Sequence, residues 1–234
     1  MKPLPPESLQ LGAGPATNIC WRRSASARRV TLRIDARNGQ VVVTLPMRAG
    51  RSAGVALLNT HAAWVAARLA ALPEAAPFAD GASVMLDGAP VPIRHAPSAK
   101  GGAWLANGAL NVAGDVDFLP RRVHDFLRAE AKRRLAAQAV AKAATAGLSP
   151  RRVTVKDTKS RWGSCSPDGV LMFCWRLVMA PAFVQDYVVA HEVAHLRHLN
   201  HGAAFWALTD ELSPHRMQAV AWLHEEGSRL HRTG

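Results

Sequence analysis

The stretch Ala190-His191-Glu192-Val193-Ala194-His195, followed by Leu196 to Asn200 and then His201, decides how the rest of the chain is read. Residues four apart lie one above the other on a helix, so His191 and His195 can turn both imidazoles toward one ion. Glu192 projects beside the open side of that ion, where a carboxylate holds and deprotonates a water. The helix has a start and a stop. Pro181 suits a first helical position, and Val184, Tyr187, Val188, His191, His195, Leu196 and Leu199 recur at helical spacing. Asn200 and Gly202 supply the break.

His-Glu-x-x-His is the pattern of zinc peptidases, and such a site needs a third protein ligand. His198 continues the helix face, but seven residues from His191 is roughly 10 Å of axial rise. That is too far for ring nitrogens each about 2 Å from one zinc. His201 is reachable if the chain reverses, which a left-handed Asn200 would allow and Gly202 would ease. His201 is therefore favoured, with His198 a polar surface residue or a group behind the ligands. A carboxylate from a later helix, Glu211, Glu225 or Glu226, is the alternative.

A chain of 234 residues can bury a real core, as one domain or two small ones. It is basic: 29 Lys and Arg against 17 Asp and Glu give a formal charge of +12, and 23 of the 29 are Arg, spread from Arg22 to Arg232. A spread excess reads first as solvated surface, and second as a field for an anionic partner such as nucleic acid, a nucleotide or an acidic polypeptide. Cys20, Cys165 and Cys174 form no C-x-x-C pair, so neither a disulfide framework nor a cysteine zinc site is expected, and a cytoplasmic setting fits. Met1 to Gln10 carries three prolines and no apolar core, unlike a secretory signal. No apolar run approaches about 18 residues, so no membrane partner is expected. Nothing in the sequence bears on oligomeric state.

Working outward, the pattern predicts an α+β chain in three parts. Residues 1–27, rich in Pro, Gly and Ser, form a flexible segment. Residues 28–118 form a small α+β domain. Val30, Leu32 and Ile34 pair across an Asn38-Gly39 turn with Val41, Val43 and Leu45, and Pro46 ends the hairpin. Ser52 then caps one helix carrying Val55, Leu58, Ala62, Val65 and Leu69, on which His61 is structural. Turns at Asp80-Gly81, Asp87-Gly88 and Asn107-Gly108 mark two further hairpins.

Residues 119–234 hold the metal helix. A long helix from Pro120 to Ala146 buries Val123, Phe126, Leu127, Ala131, Leu135 and Ala139. Its other face, with Arg121, Arg122, Arg128, Lys132, Arg133 and Arg134, is solvated or a rail for phosphates. A strand at Arg152–Asp157 turns at Ser166–Gly169 and returns over Val170–Leu177, a hairpin whose edge can pair an extended substrate. Arg161 and Arg176 are its charged residues best placed to face the cleft; with Tyr187 and His198 they are the candidates for substrate binding or oxyanion stabilisation. Cys165 has no basic partner fixed by spacing and reads as structural. Ala203–Leu212 forms a short helix with Phe205, Leu208 and Leu212 inward, and Phe205 and Trp206 read as core packing. Ser213-Pro214 caps a last helix carrying Met217, Val220, Trp222 and Leu223.

Ser160-Arg161-Trp162-Gly163-Ser164-Cys165, Trp175-Arg176-Leu177, Ala180-Pro181, the His191 to His195 motif, Asn200-His201 and Phe205-Trp206 together resemble the YgjP-like metallopeptidase family, related to the SprT-like and WLM zincins. The likeness extends to Arg28-Arg29-Val30-Thr31-Leu32-Arg33-Ile34 and the Trp64 helix. The resemblance implies a zincin-like C-terminal catalytic domain, one zinc held by His191, His195 and His201, and Glu192 as general base. The expected activity is peptide-bond hydrolysis of a polypeptide substrate. Two alternatives stand beside it: pyrophosphohydrolysis of a nucleotide such as UTP at the same metal site, and a basic nucleic-acid-associated module with a structural metal.

Overall fold

The computed structural model describes residues 7–11 and 16–234, so the expected flexibility of residues 1–6 and 12–15 lies outside the described residues. The chain is α+β and divides into two compact units, Met1–Ala75 and Ala76–Gly234.

In the first unit, β1 (Glu7–Gln10), β2 (Ala16–Ser24), β3 (Thr31–Asp35) and β4 (Gln40–Pro46) form one sheet in the order β1-β2-β4-β3. The β3–β4 hairpin turns at Asn38-Gly39 as predicted, with Gly39 at φ 58°. β2 lies within the segment predicted to be flexible. Thr17, Ile19 and Trp21 alternate with less buried neighbours, and this period-two signal outweighs the flanking glycines because β2 runs parallel to β4 in the middle of the sheet. The predicted single helix is two, α1 (Arg51–Thr60) and α2 (Ala62–Ala70), broken at His61 (φ −108°, ψ 17°). Gly50, not Ser52, occupies the N-cap. Leu58 and Val65 close the core over Ile19, Trp21, Val41, Val43 and Leu45.

The second unit starts at residue 76, not 119. Its first sheet holds the two predicted hairpins, β5 (Ser83–Leu86) with β6 (Ala89–Ala96) and β7 (Ala103–Ala106) with β8 (Ala109–Ala113), in the order β5-β6-β8-β7. The Asp87-Gly88 turn explains why this sheet belongs here. Asp87 and Gly88 donate backbone N–H bonds to the Val178 and Met179 carbonyls, Asp87 accepts from Gln185 Nε2 at 2.9 Å, and a Cβ on Gly88 would strike Pro181 at 2.8 Å. Val84, Ile93, Leu110 and Val112 accordingly share one core with the helices that follow.

The long helix α3 (Leu119–Thr145) buries Leu119, Val123, Leu127, Ala131, Leu135, Ala139 and Ala143, one apolar line at four-residue spacing. It ends in a Schellman motif: Gly147 (φ 64°) donates to Ala144 O and Leu148 to Ala143 O. On its polar face Glu130 pairs with Arg133 and Arg134, Arg134 also meets Asp87, and Arg121 meets Asp125.

β9 (Arg152–Lys156), β10 (Gly163–Cys165) and β11 (Val170–Cys174) form a sheet in the order β10-β11-β9. The predicted hairpin therefore changes membership. β10 and β11 are its antiparallel arms across Ser166–Gly169, and β9 runs parallel to β11 on the far side. β11 stops at Cys174, and Trp175–Met179 forms a 3-10 turn into α4 (Ala182–Ala194). α5 (Ala203–Leu212) and α6 (Arg216–His231) pack on α4. The inward face of α6 carries Ala219, Gly227 and Leu230, with Trp222 and Leu223 partly buried, while Met217 and Val220 face solvent. Cys20, Cys165 and Cys174 are free thiols. Among the described residues no helix is long and apolar enough to cross a membrane.

Candidate metal centre

α4 is buried nearly all round: Val184, Val188, Val189 and Val193 fill the core between α3 and α6, and this fixes the direction in which His191 points. The helix ends earlier than its periodicity suggests. His195 is the C-cap, and i→i+3 bonds from Leu196 to Val193 and from Arg197 to Ala194 tighten the exit. Leu199, counted on the helical face, is exposed beyond that exit. The reversal also uses no left-handed residue at Asn200, since among the described residues the non-glycine residues with positive φ are Asp87 and Asn107, and Gly202 sits at φ −74°.

That reversal brings His191, His195 and His201 together, with one ligand atom from each lying within 4.8 Å of the others. His191 Nε2 and His201 Nε2 are 3.2 Å apart. Nitrogens about 2.0–2.1 Å from a tetrahedral zinc stand about 3.3 Å from one another, so the spacing fits. His195 Nδ1 meets the His198 carbonyl at 2.9 Å, which orients the ring and leaves Nε2 for a ligand. Buried His191 Nδ1 has no hydrogen-bond partner among the described residues. Desolvation, then the neighbouring His195 and His201, push His191 down to about 4, and desolvation lowers His195 as well. Both rings thus keep the free lone pair that a metal requires near neutral pH. Among the described residues Glu211, Glu225 and Glu226 do not join this group.

Glu192 is 6% exposed and packs on β10. A Cβ on Gly163 would lie 2.5 Å from both Glu192 Cγ and Oε1, so the absent side chain is the space the carboxylate occupies. Burial pushes Glu192 up to about 8, against the opposing charge of Arg161. The thiol of Cys165 rises to about 11 through desolvation, then Glu192 and Asp168, in keeping with a structural residue and not a nucleophile.

The four substrate candidates separate. The Tyr187 ring stands edge-on to His191 at 5.9 Å, and its phenol is shifted upward mainly by desolvation. Arg161 is exposed and near enough to act on Glu192. His198 contributes its carbonyl to His195. Arg176 does not face the cleft: it is 2% exposed, bonds Asp157 and the Thr233 carbonyl, and lies over Trp175 at 4.2 Å, because the 3-10 turn at the end of β11 carries it into the core.

Two contributions had no local signal. Gly163 is adjacent to Glu192 only through the packing of α4 on β10. Phe205, fully buried, touches the rings of His191, His195 and His201 at centroid distances of 4.9, 4.5 and 4.7 Å, and Trp206 stacks on His201. Both pack in the core as the sequence predicts, and there they form an aromatic wall behind the triad.

A family model described as YgjP-like, metallopeptidase domain, matches residues 28–226. No curated protein and no solved structure matches the chain.

Proposed function

The chain belongs to the YgjP-like metallopeptidase family, and on that premise we propose that it is a zinc-dependent hydrolase of the zincin type that cleaves peptide bonds in a polypeptide substrate. The observation that carries the proposal is the pairing of a three-imidazole cluster with a buried carboxylate seated on a glycine. His191, His195 and His201 would hold the metal, a three-ligand set that leaves a position open. Bound there, zinc supplies a Lewis acid that polarises a carbonyl and lowers the pKa of a water, and of the neighbouring Glu192, toward neutrality.

Glu192 takes the proton of the attacking water at a carboxylate oxygen and delivers it to the leaving amine. Gly163 and the buried face of α4 hold that carboxylate in one place, so no reorganisation is needed at the moment of reaction. β10 is an edge strand of its sheet, and an extended substrate laid along it gains backbone hydrogen bonds close to Glu192. Tyr187, whose ring lies beside His191, and Arg161, whose charge acts on Glu192, would be the donors to a developing oxyanion.

The test is metal analysis and casein cleavage for the wild type beside Glu192→Gln. Both proteins should carry one zinc per chain, with cleavage lower in the variant by about 10²–10⁴-fold. Equal cleavage by the two would overturn the assignment. Pyrophosphate release from UTP that vanishes in His191→Ala, without proteolysis, would transfer the site to nucleotide hydrolysis.

A further inference from the structure

β3 is the outer strand of the N-terminal sheet, and among the described residues no strand pairs with its free edge. Alternate residues of its approach and core face, Val30, Leu32 and Ile34, are partly buried, while Thr31 and Arg33 face out. Beside it lies a groove of about 480 Å³ between this edge and the two helices, lined by residues 29–32, Leu57, His61 and Trp64. Trp64 is 44% exposed there, and Leu57 is half-buried. The break at His61 separates α1 from α2 directly over this groove.

Three properties identify what would fill it. An unpaired strand edge offers alternating N–H and C=O groups, which match the backbone of an extended polypeptide. The wall opposite is aliphatic and aromatic, so it accepts large apolar side chains at every second position of an added strand. The surroundings are cationic: residues 1–75 hold ten Lys and Arg against three Asp and Glu, and Arg28, Arg29, Arg33 and Arg68 are exposed with no carboxylate partner among the described residues. A single nucleic-acid strand would find charge and the rings of Trp64 and His61, but Val30, Leu32 and Leu57 offer its bases no further platform.

We propose that the groove between β3 and the α1–α2 helices is a docking site for an extended acidic polypeptide segment, which adds as a fifth strand beside β3 and seats an apolar side chain against Trp64. The site lies wholly within the first unit and does not depend on the reading of the metal centre. Trp64 supplies the anchor; Arg29 and its neighbours supply the selection for carboxylates.

The probe is a short, end-blocked, fluorescently labelled peptide alternating leucine and glutamate, titrated by anisotropy into the full chain carrying Glu192→Gln. Binding should weaken about tenfold when Trp64→Ala is added. Arg29→Glu should weaken it as well, and amide exchange at Thr31–Ile34 should slow on addition of the peptide. Trp64 is exposed enough that its removal leaves the fold in place, which circular dichroism checks. Undiminished affinity in Trp64→Ala, absence of binding, or equal affinity for a peptide with lysine in place of glutamate would each overturn the proposal. Displacement of the peptide by oligothymidine from the same residues would overturn it in favour of a nucleic-acid strand. Wild-type protein that binds the probe through Trp64 but cleaves no casein would count against the peptidase reading alone.

Discussion

Gly54 in α1 and Gly163 in β10 meet the same steric demand in different company. A Cβ on Gly54 would stand 2.5 Å from Trp21 Cζ3 and 3.1 Å from Val43 Cγ1; one on Gly163 would stand 2.5 Å from Glu192 Cγ and Oε1. Neither glycine has a positive φ, so both are required for space and not for backbone conformation. The neighbours differ in how they can yield. Trp21 is wedged among Val43, Leu45 and Leu58, where a ring cannot move without disturbing the core. The intruded part of Glu192 runs from Cγ to the carboxylate, a segment that rotates about its χ angles without moving the helix. The first glycine therefore guards stability and the second guards the position of a carboxylate, although both look alike in the sequence.

The harshest way to break this contrast leaves both glycines untouched. His201→Ala removes a candidate ligand that is exposed and outside the core, so the protein should remain folded while zinc affinity falls more than about 10²-fold, beyond the loss typical of a group behind the ligands. Metal analysis after dialysis reads this directly, and full zinc retention would remove His201 from the site. Next in size, Gly163→Ala should displace Glu192 by a fraction of an ångström to an ångström. Casein cleavage should fall about 10²-fold, with zinc content and Tm little changed. Unaltered turnover would mean that the cradle does not set the carboxylate's position. The smallest effect belongs to Gly54→Ala. A gain in helix propensity of up to about 1 kcal/mol is offset by overpacking of about 1–3 kcal/mol. The net should be a loss of about 1–2 kcal/mol in urea unfolding with unchanged casein cleavage. A stabilised Gly54→Ala protein would show that Trp21 can move after all, and the contrast would fail.

Much of the layout was legible because its signals are local. Asn38-Gly39, Asp87-Gly88 and Asn107-Gly108 dictate hairpins through residues that tolerate positive φ, and the spacing from Val123 to Ala139 dictates the buried face of α3. Where local signals were weak or shared, packing decided. β2 hides in a Pro- and Gly-rich stretch and gains its place from parallel pairing with β4. The division at residue 75 instead of 118 follows from a turn, Asp87-Gly88, that grips the entrance to α4 nearly a hundred residues downstream. A strand continued over Val170–Leu177 would aim Arg176 at the cleft, but β11 stops at Cys174 and the 3-10 turn rotates Arg176 inward to Asp157.

The histidine cluster shows the same division. The four-residue spacing of His191 and His195, with Glu192 beside them, follows from helical geometry alone, because every member sits on one continuous element. The approach of His201 does not. It depends on where α4 stops, and α4 stops at His195 through a tightened last turn, not through the left-handed Asn200 that the local sequence suggested. Gly163 and Phe205 lie still further from sequence reasoning, since their contacts cross between separate elements and no periodicity links them. The sequence by itself determined most of the helices and hairpins, their turns and the chemical character of the site, for these arise from neighbours along the chain. The tertiary structure alone decided which side chains confine Glu192, what backs the three imidazoles and which strand edges stay open, because those contacts exist only when distant segments are packed together.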